Sequence, residues 1–192
     1  MKRIAVLLLL WSTFALGGAD SLFKMIYHLG GVEMLRVDFE GGGSQSIYSR
    51  SGQEIAVGAS VEVLPFLHWE NTIAVSLGYV DAANGYAMFS RFPFESQIFL
   101  QLWILRVGGG ISYHMAPSFS CTFSNCGTHT VEAPQMGTTA EVGLAFDWES
   151  PYGEKMKLYF AYKYLQMTYI YDNVPIDASG GSFIMGAFFD WW

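Results

Sequence analysis

Charge is scarce in this chain. Only 14% of its 192 residues are Asp, Glu, Lys or Arg, against about 25% in ordinary soluble domains, while 52% are hydrophobic. The usual outlet for so much apolar surface is also missing. Beyond the first twenty residues no run is long and apolar enough to cross a bilayer as a helix, which takes roughly 18 residues or more. Cysteine is limited to Cys121 and Cys126, too few for a disulfide scaffold and, with only His129 close by, too few ligands for a metal centre. The six prolines, Pro65, Pro93, Pro117, Pro134, Pro151 and Pro175, fall in connections or at strand ends, where no ladder donor is needed. Ten basic residues face seventeen acidic ones, a balance that argues against nucleic acid as a partner.

What is present begins with an address. Lys2 and Arg3 precede an uncharged run at 4–16, and small residues follow at Ala15, Gly17, Gly18 and Ala19. This is the pattern of a secretory signal peptide. Cleavage fits after Gly17 or, preferably, after Ala19, which makes 1–19 a removed leader and 20–192 the mature domain. No cysteine follows either site, so no lipid anchor is expected. The mature chain loses two basic residues with the leader, and its net charge moves from −7 to −9. In an oxidising compartment Cys121 and Cys126 are expected to form a disulfide that pins a loop.

The rest of the chain alternates. Side chains along a strand point to opposite faces in turn, so a strand with lipid outside and a polar interior must repeat every two residues. Residues 53–64 show this clearly, with Ile55, Val57, Ala59, Val61 and Val63 on one face and Glu54, Ala56, Gly58, Ser60 and Glu62 on the other. Eight such strands are predicted, at 29–40, 53–64, 70–80, 94–103, 105–115, 137–148, 155–167 and 182–191. The connections between them alternate long and short. Only helices and closed barrels satisfy every backbone polar group in lipid, so the predicted fold is all-β: an eight-stranded antiparallel up-and-down transmembrane barrel with short periplasmic turns and longer extracellular loops. A lipocalin-like barrel is the soluble competitor, but it would turn its apolar face inward around a ligand.

Aromatic placement is an independent check, because these rings favour the membrane interface. Trp69, Trp103, Trp148, Trp191 and Trp192 all fall at the predicted periplasmic end. Tyr48, Tyr86, Phe89, Phe119, Tyr169 and Tyr171 would form the outer girdle.

At this point the chain resembles the small eight-stranded outer-membrane barrels of Gram-negative bacteria. Its C-terminal segment adds Gly186, Phe189 and Trp191, which match the glycine and alternating aromatics with which such barrels finish; Trp192 is one residue extra. The resemblance implies residence in the bacterial outer membrane, contact with its lipid and lipopolysaccharide, a monomer, and insertion by the barrel-assembly machinery through the last strand. It implies no cofactor and no metal.

Eight strands leave an interior that side chains can fill. Carrying the alternation inward predicts a polar network of Glu54, Glu62, Glu95, Arg106, His114, Glu141, Asp147, Lys157 and Lys163, with Arg36 and Asp38 also inside. Enclosed charges persist when paired or hydrated, so a salt-bridged plug is expected. Gly108, Gly109 and Gly110 would leave room for a neighbour's bulk. A non-catalytic structural or surface-interaction role follows. One alternative is a barrel that binds a small polar ligand among these charges. Another is a hydrolase acting on outer-membrane lipid, with Ser112, His114 and Glu141 as nucleophile, base and orienting acid. The lipid A deacylases are also eight-stranded barrels, but they carry His-x-Ser-Asn on a lipid-facing strand. Here the residues after His114 are Met115, Ala116, Pro117 and Ser118, and the Ser112 and His114 pair is predicted to face inward. The hydroxyl-rich stretch 116–136 around the cysteines is expected to be a solvated loop with a stabilising staple; the alternative is a loop for adhesion or recognition.

Overall fold

A computed structural model describes residues 19–38, 43–50, 52–82, 85–123, 129–130, 135–149, 155–171 and 174–189. Thirteen strands and no helix lie among them. Eight strands form the barrel wall: β1 (Ala19–Gly30), β4 (Gly52–Leu64), β5 (Leu67–Ala82), β6 (Gly85–Leu102), β7 (Leu105–Cys121), β9 (Gln135–Glu149), β10 (Lys155–Gln166) and β13 (Gly180–Phe189). Each pairs antiparallel with the next in the chain, and β13 returns to β1, so the sheet closes. Closure leaves no edge unpaired, which is the all-β solution to an otherwise adhesive strand edge.

The remaining strands lie at one end. β2 (Glu33–Asp38) and β3 (Ser44–Tyr48) form a hairpin between β1 and β4, and β11 (Thr168–Tyr171) and β12 (Val174–Asp177) form another between β10 and β13. β8 (His129–Thr130) pairs with β7. The opposite end carries the tight turns at 65–66 and 103–104. Trp69, Trp103 and Trp148 cluster at this short-turn end as expected; Trp191 and Trp192 lie outside the described residues. Trp103 adopts φ 57° at the tip of its turn and is 87% exposed, a left-handed conformation that a bulky side chain seldom takes.

Four expectations need correction. The first wall strand is Ala19–Gly30, ten residues earlier than 29–40, and 33–38 belongs to the β2/β3 hairpin. Arg36 and Asp38 are therefore exposed on that hairpin, paired with each other at 3.1 Å, and not inside. The connection at 81–93 is mostly wall: β5 and β6 stay in register up to Ala82 opposite Gly85, and β7 likewise runs on to Cys121. Pro93 and Pro117 thus sit within strands, beside the bulge where the β6/β7 register shifts between Ser90 and Phe92. A proline is tolerated there because a bulge leaves a donor position unused.

Inside and outside are sharply divided. Outward positions on every wall strand carry exposed large hydrophobic residues, such as Phe23, Ile55, Val75, Ile98, Val107, Leu144, Phe160 and Met185. Inward positions carry charge and small residues. Two apolar clusters interrupt the polar interior. One, with Leu22, Ile26, Tyr159, Ile184 and Phe188, lies within the wall. The other, with Ile47, Phe89, Phe119, Leu165, Met167 and Tyr169, caps the barrel beneath the two hairpins. Phe89, Phe119 and Tyr169, expected in an outer girdle, are buried in this cap, whereas Tyr48 and Tyr86 are exposed.

Candidate functional site: the barrel interior

Parity places the interior side chains, and pairing sorts them into two clusters. Nearer the short-turn end, Lys24 from β1, Glu70 from β5, Arg106 from β7 and Glu141 from β9 are each at most 3% exposed. Lys24 Nζ donates to Glu70 Oε2 at 3.0 Å and lies 3.9 Å from Glu141 Oε1. Arg106 Nη2 donates to the other oxygen of Glu70. The Arg106 guanidinium also lies over the ring of Phe99, 3.8 Å from its centroid, with Tyr159 at 5.1 Å and Phe188 at 4.9 Å. The cationic carbon thus faces three π-systems as well as a carboxylate. Gln97 reaches Thr139 at 2.9 Å and Glu141 at 3.4 Å. Two cations meet two carboxylates, so this cluster is balanced.

Glycine makes this packing possible. A Cβ on Gly108 would stand 2.3 Å from the Phe99 ring, and one on Gly186 would stand 3.3 Å from Lys24 Cγ. The room expected from the 108–110 run is thus used at Gly108, by the ring on which Arg106 rests.

Towards the hairpin end a second cluster forms. Lys163 Nζ donates to both oxygens of Glu95 at 2.9 Å. Ser112 Oγ donates to Glu95 Oε1 at 3.1 Å, and His114 Nε2 lies 3.1 Å from the same Ser112 Oγ. His114 Nδ1 is 2.6 Å from the Tyr169 hydroxyl. A serine has one proton to give. Here it goes to the Glu95 carboxylate, so Nε2 of His114 donates to Ser112 and Nδ1 accepts from Tyr169. That tautomer is assigned by the network. It points the proton the wrong way for a base that would activate Ser112. Glu141, the third member of the catalytic alternative, is bonded in the other cluster to Gln97 and faces Lys24.

His28 Nε2 lies 2.9 Å from Glu54 Oε2, and its Nδ1 lies 2.9 Å from Ser182 Oγ. Arg50 Nη2 donates to Ser182 Oγ at 2.8 Å, and Arg91 Nη1 donates to the Ser49 carbonyl at 2.9 Å.

Of the expected network, Glu54, Glu95, Arg106, His114, Glu141 and Lys163 are buried in these clusters. Glu62 and Asp147 are not: both are exposed at the short-turn rim, with Lys157 half-buried and 3.9 Å from Asp147. Parity alone had put them inside, but inward positions at a strand's end open to solvent. Cys121 is buried at the end of β7, while Cys126 lies outside the described residues. Residues 116–121 of the expected loop are strand. No group of three or more His, Cys, Asp or Glu side chains suited to a metal occurs among the described residues.

Sequence reasoning missed Lys24, His28, Arg50, Glu70 and Arg91. Lys24 and His28 preceded the predicted first strand, and Arg50 and Arg91 fell in predicted connections. Glu70 opened a predicted strand and has the inward parity of Thr72 and Ser76, a signal that was available. No protein-family model, no curated protein and no solved structure matches this chain.

Proposed function

We propose that this protein is a membrane-spanning barrel of the bacterial outer membrane, non-catalytic, with a plugged polar interior and a structural or surface-interaction role carried by its hairpin end. The observation that carries this reading is the inversion of polarity across the wall. Among the described residues, large apolar side chains stand outward on all eight strands while five Lys and Arg and four Glu side chains are buried inside. A soluble barrel needs the opposite arrangement, since monomers rarely expose continuous apolar area beyond a few hundred Å². Wall strands of 10 to 18 residues match the roughly 9–11 that a tilted strand needs to cross the hydrocarbon core.

Fractionation tests the location. The full-length protein is expected in the outer membrane, resistant to alkaline extraction and shifting its gel mobility only on heating. Recovery as a soluble periplasmic species overturns the reading. The absence of catalysis is tested on lipid A from cells with the wild-type protein, with His114→Ala, and without the protein. Identical acylation is expected in all three, because His114 donates to Ser112 and Glu141 is elsewhere. Acyl loss that depends on His114 would make the chain a lipid-modifying enzyme.

A further inference from the structure

We propose that Arg50 and Arg91 form an internal anion site, which takes a small free oxyanion bearing a carboxylate or phosphate group, held under the apolar cap of the barrel. Both guanidinium groups are buried, each residue only 1% exposed. None of the ion pairs among the described residues includes either of them. Each spends one nitrogen on a neutral acceptor: Arg50 Nη2 on Ser182, Arg91 Nη1 on the Ser49 carbonyl. Arg50 Nε and Nη1, and Arg91 Nε and Nη2, have no acceptor among the described residues. Buried charge is kept only when compensated, and here the described residues supply only part of the compensation.

The carboxylates within influence are already engaged. Glu54 is bonded to His28, and Glu95 takes both Lys163 and Ser112. The lower cluster is balanced at two cations to two carboxylates. The upper one sets Arg50, Arg91 and Lys163 against Glu54 and Glu95, a surplus of one positive charge. Arg106 also has nitrogens without acceptors, but it holds Glu70 and lies against three aromatic faces. Among the described residues Arg50 has no such contact, and Arg91 has only neutral neighbours, the Phe89 ring at 5.8 Å and the Tyr169 hydroxyl.

The shape of the open donors selects the ligand. Nε and Nη2 of Arg91 are the two N–H groups on one edge of the planar fork, spaced to hold two oxygens of one carboxylate or phosphate. The site is also built around the second guanidinium. A Cβ on Gly180 would stand 3.1 Å from Arg50 Cδ, and Gly31, at φ +89°, packs on the Arg50 backbone. Above it, Tyr169 and Phe89 belong to the apolar cap, so a bound anion is shielded from competing water and salt.

This inference goes beyond the proposed function and does not depend on where the barrel resides. The test is thermal unfolding of the purified full barrel in a zwitterionic detergent, titrated with sodium phosphate and with sodium acetate against sodium chloride at constant ionic strength. A saturable rise in midpoint with either oxyanion, and none with chloride, is expected from ligand linkage. Arg91→Lys keeps the charge but loses the fork, and should raise the apparent dissociation constant about tenfold or more. A midpoint that follows ionic strength alone, an equal response to chloride, or a saturable effect unchanged in Arg91→Lys overturns the proposal. Should that variant fail to fold, native mass spectrometry of the wild-type barrel decides: one retained phosphate or acetate supports the site, and none retained overturns it.

Discussion

Glu70 is the residue on which the interior turns. It accepts from Lys24 on one oxygen and from Arg106 on the other, and all three are 1% exposed. Deleting one partner of a buried ion pair leaves the rest uncompensated, which costs about 3–5 kcal/mol, even though exchanging the whole group for well-packed apolar residues is often neutral. Glu70→Ala is therefore expected to lose about that much stability in urea unfolding of the barrel in detergent. Adding Lys24→Met should restore part of the loss, because one stranded cation is removed and its stem is replaced by apolar volume. Simple addition of the two single effects would show that Lys24 and Glu70 do not act as a unit. The Arg106 contact with Phe99 survives both changes and keeps the second cation partly compensated.

At the scale of elements, β1 separates what was legible from what was not. The alternation of β4 and β9 is plain in the sequence because their outward residues are mostly apolar and their inward ones small or charged. In β1 both faces carry apolar side chains: Phe23, Met25 and Tyr27 point outward, and Leu22 and Ile26 share the inward face with Lys24 and His28. Two inward apolar residues that build the inner cluster thus erased the period-two signal. The segment 33–38 reads more like a wall strand than β1 does, and it forms a hairpin outside the wall instead. Missing alternation also hid the two arginines of the upper cluster. Arg50 lies in a turn and Arg91 in the extension of β6, where Phe89 faces inward and Phe92 outward, so no apolar alternation marked the strand. Pairing was the other unreadable step, since parity gives the side of the wall but not which inward charge meets which. The placement of β1 has its own test. Single spin labels at positions 22 to 29, in the protein reconstituted in lipid, should show oxygen accessibility that peaks at 23, 25, 27 and 29 and falls at 22, 24, 26 and 28. A flat profile across these eight positions would mean that the segment is not a wall strand.

For the whole molecule the question is whether a closed ring of eight strands conducts. Strand number sets the bore, and eight leave space that side chains fill. Here that space is obstructed at three successive levels. Lowest is the cluster of Lys24, Glu70, Arg106 and Glu141, floored by the Phe99, Tyr159 and Phe188 rings. Above it Lys163, Glu95, Ser112 and His114 are bonded across the bore. Highest is the apolar cap, in which Phe89, Phe119, Leu165, Met167 and Tyr169 pack together. An ion passing through would have to break buried pairs at the first two levels and then cross a dry constriction, each step without replacement hydration. Planar bilayers containing the purified protein are therefore expected to show no unitary current steps in molar potassium chloride at 100 mV. No single level is needed for closure. Phe99→Ala removes the ring beneath Arg106 yet leaves the cap in place, so it should remain silent, and removal of cap residues alone should remain silent because the lower pairs persist. Unitary steps from the wild-type barrel would mean that the interior pairs open and close, and the plug would then be a gate.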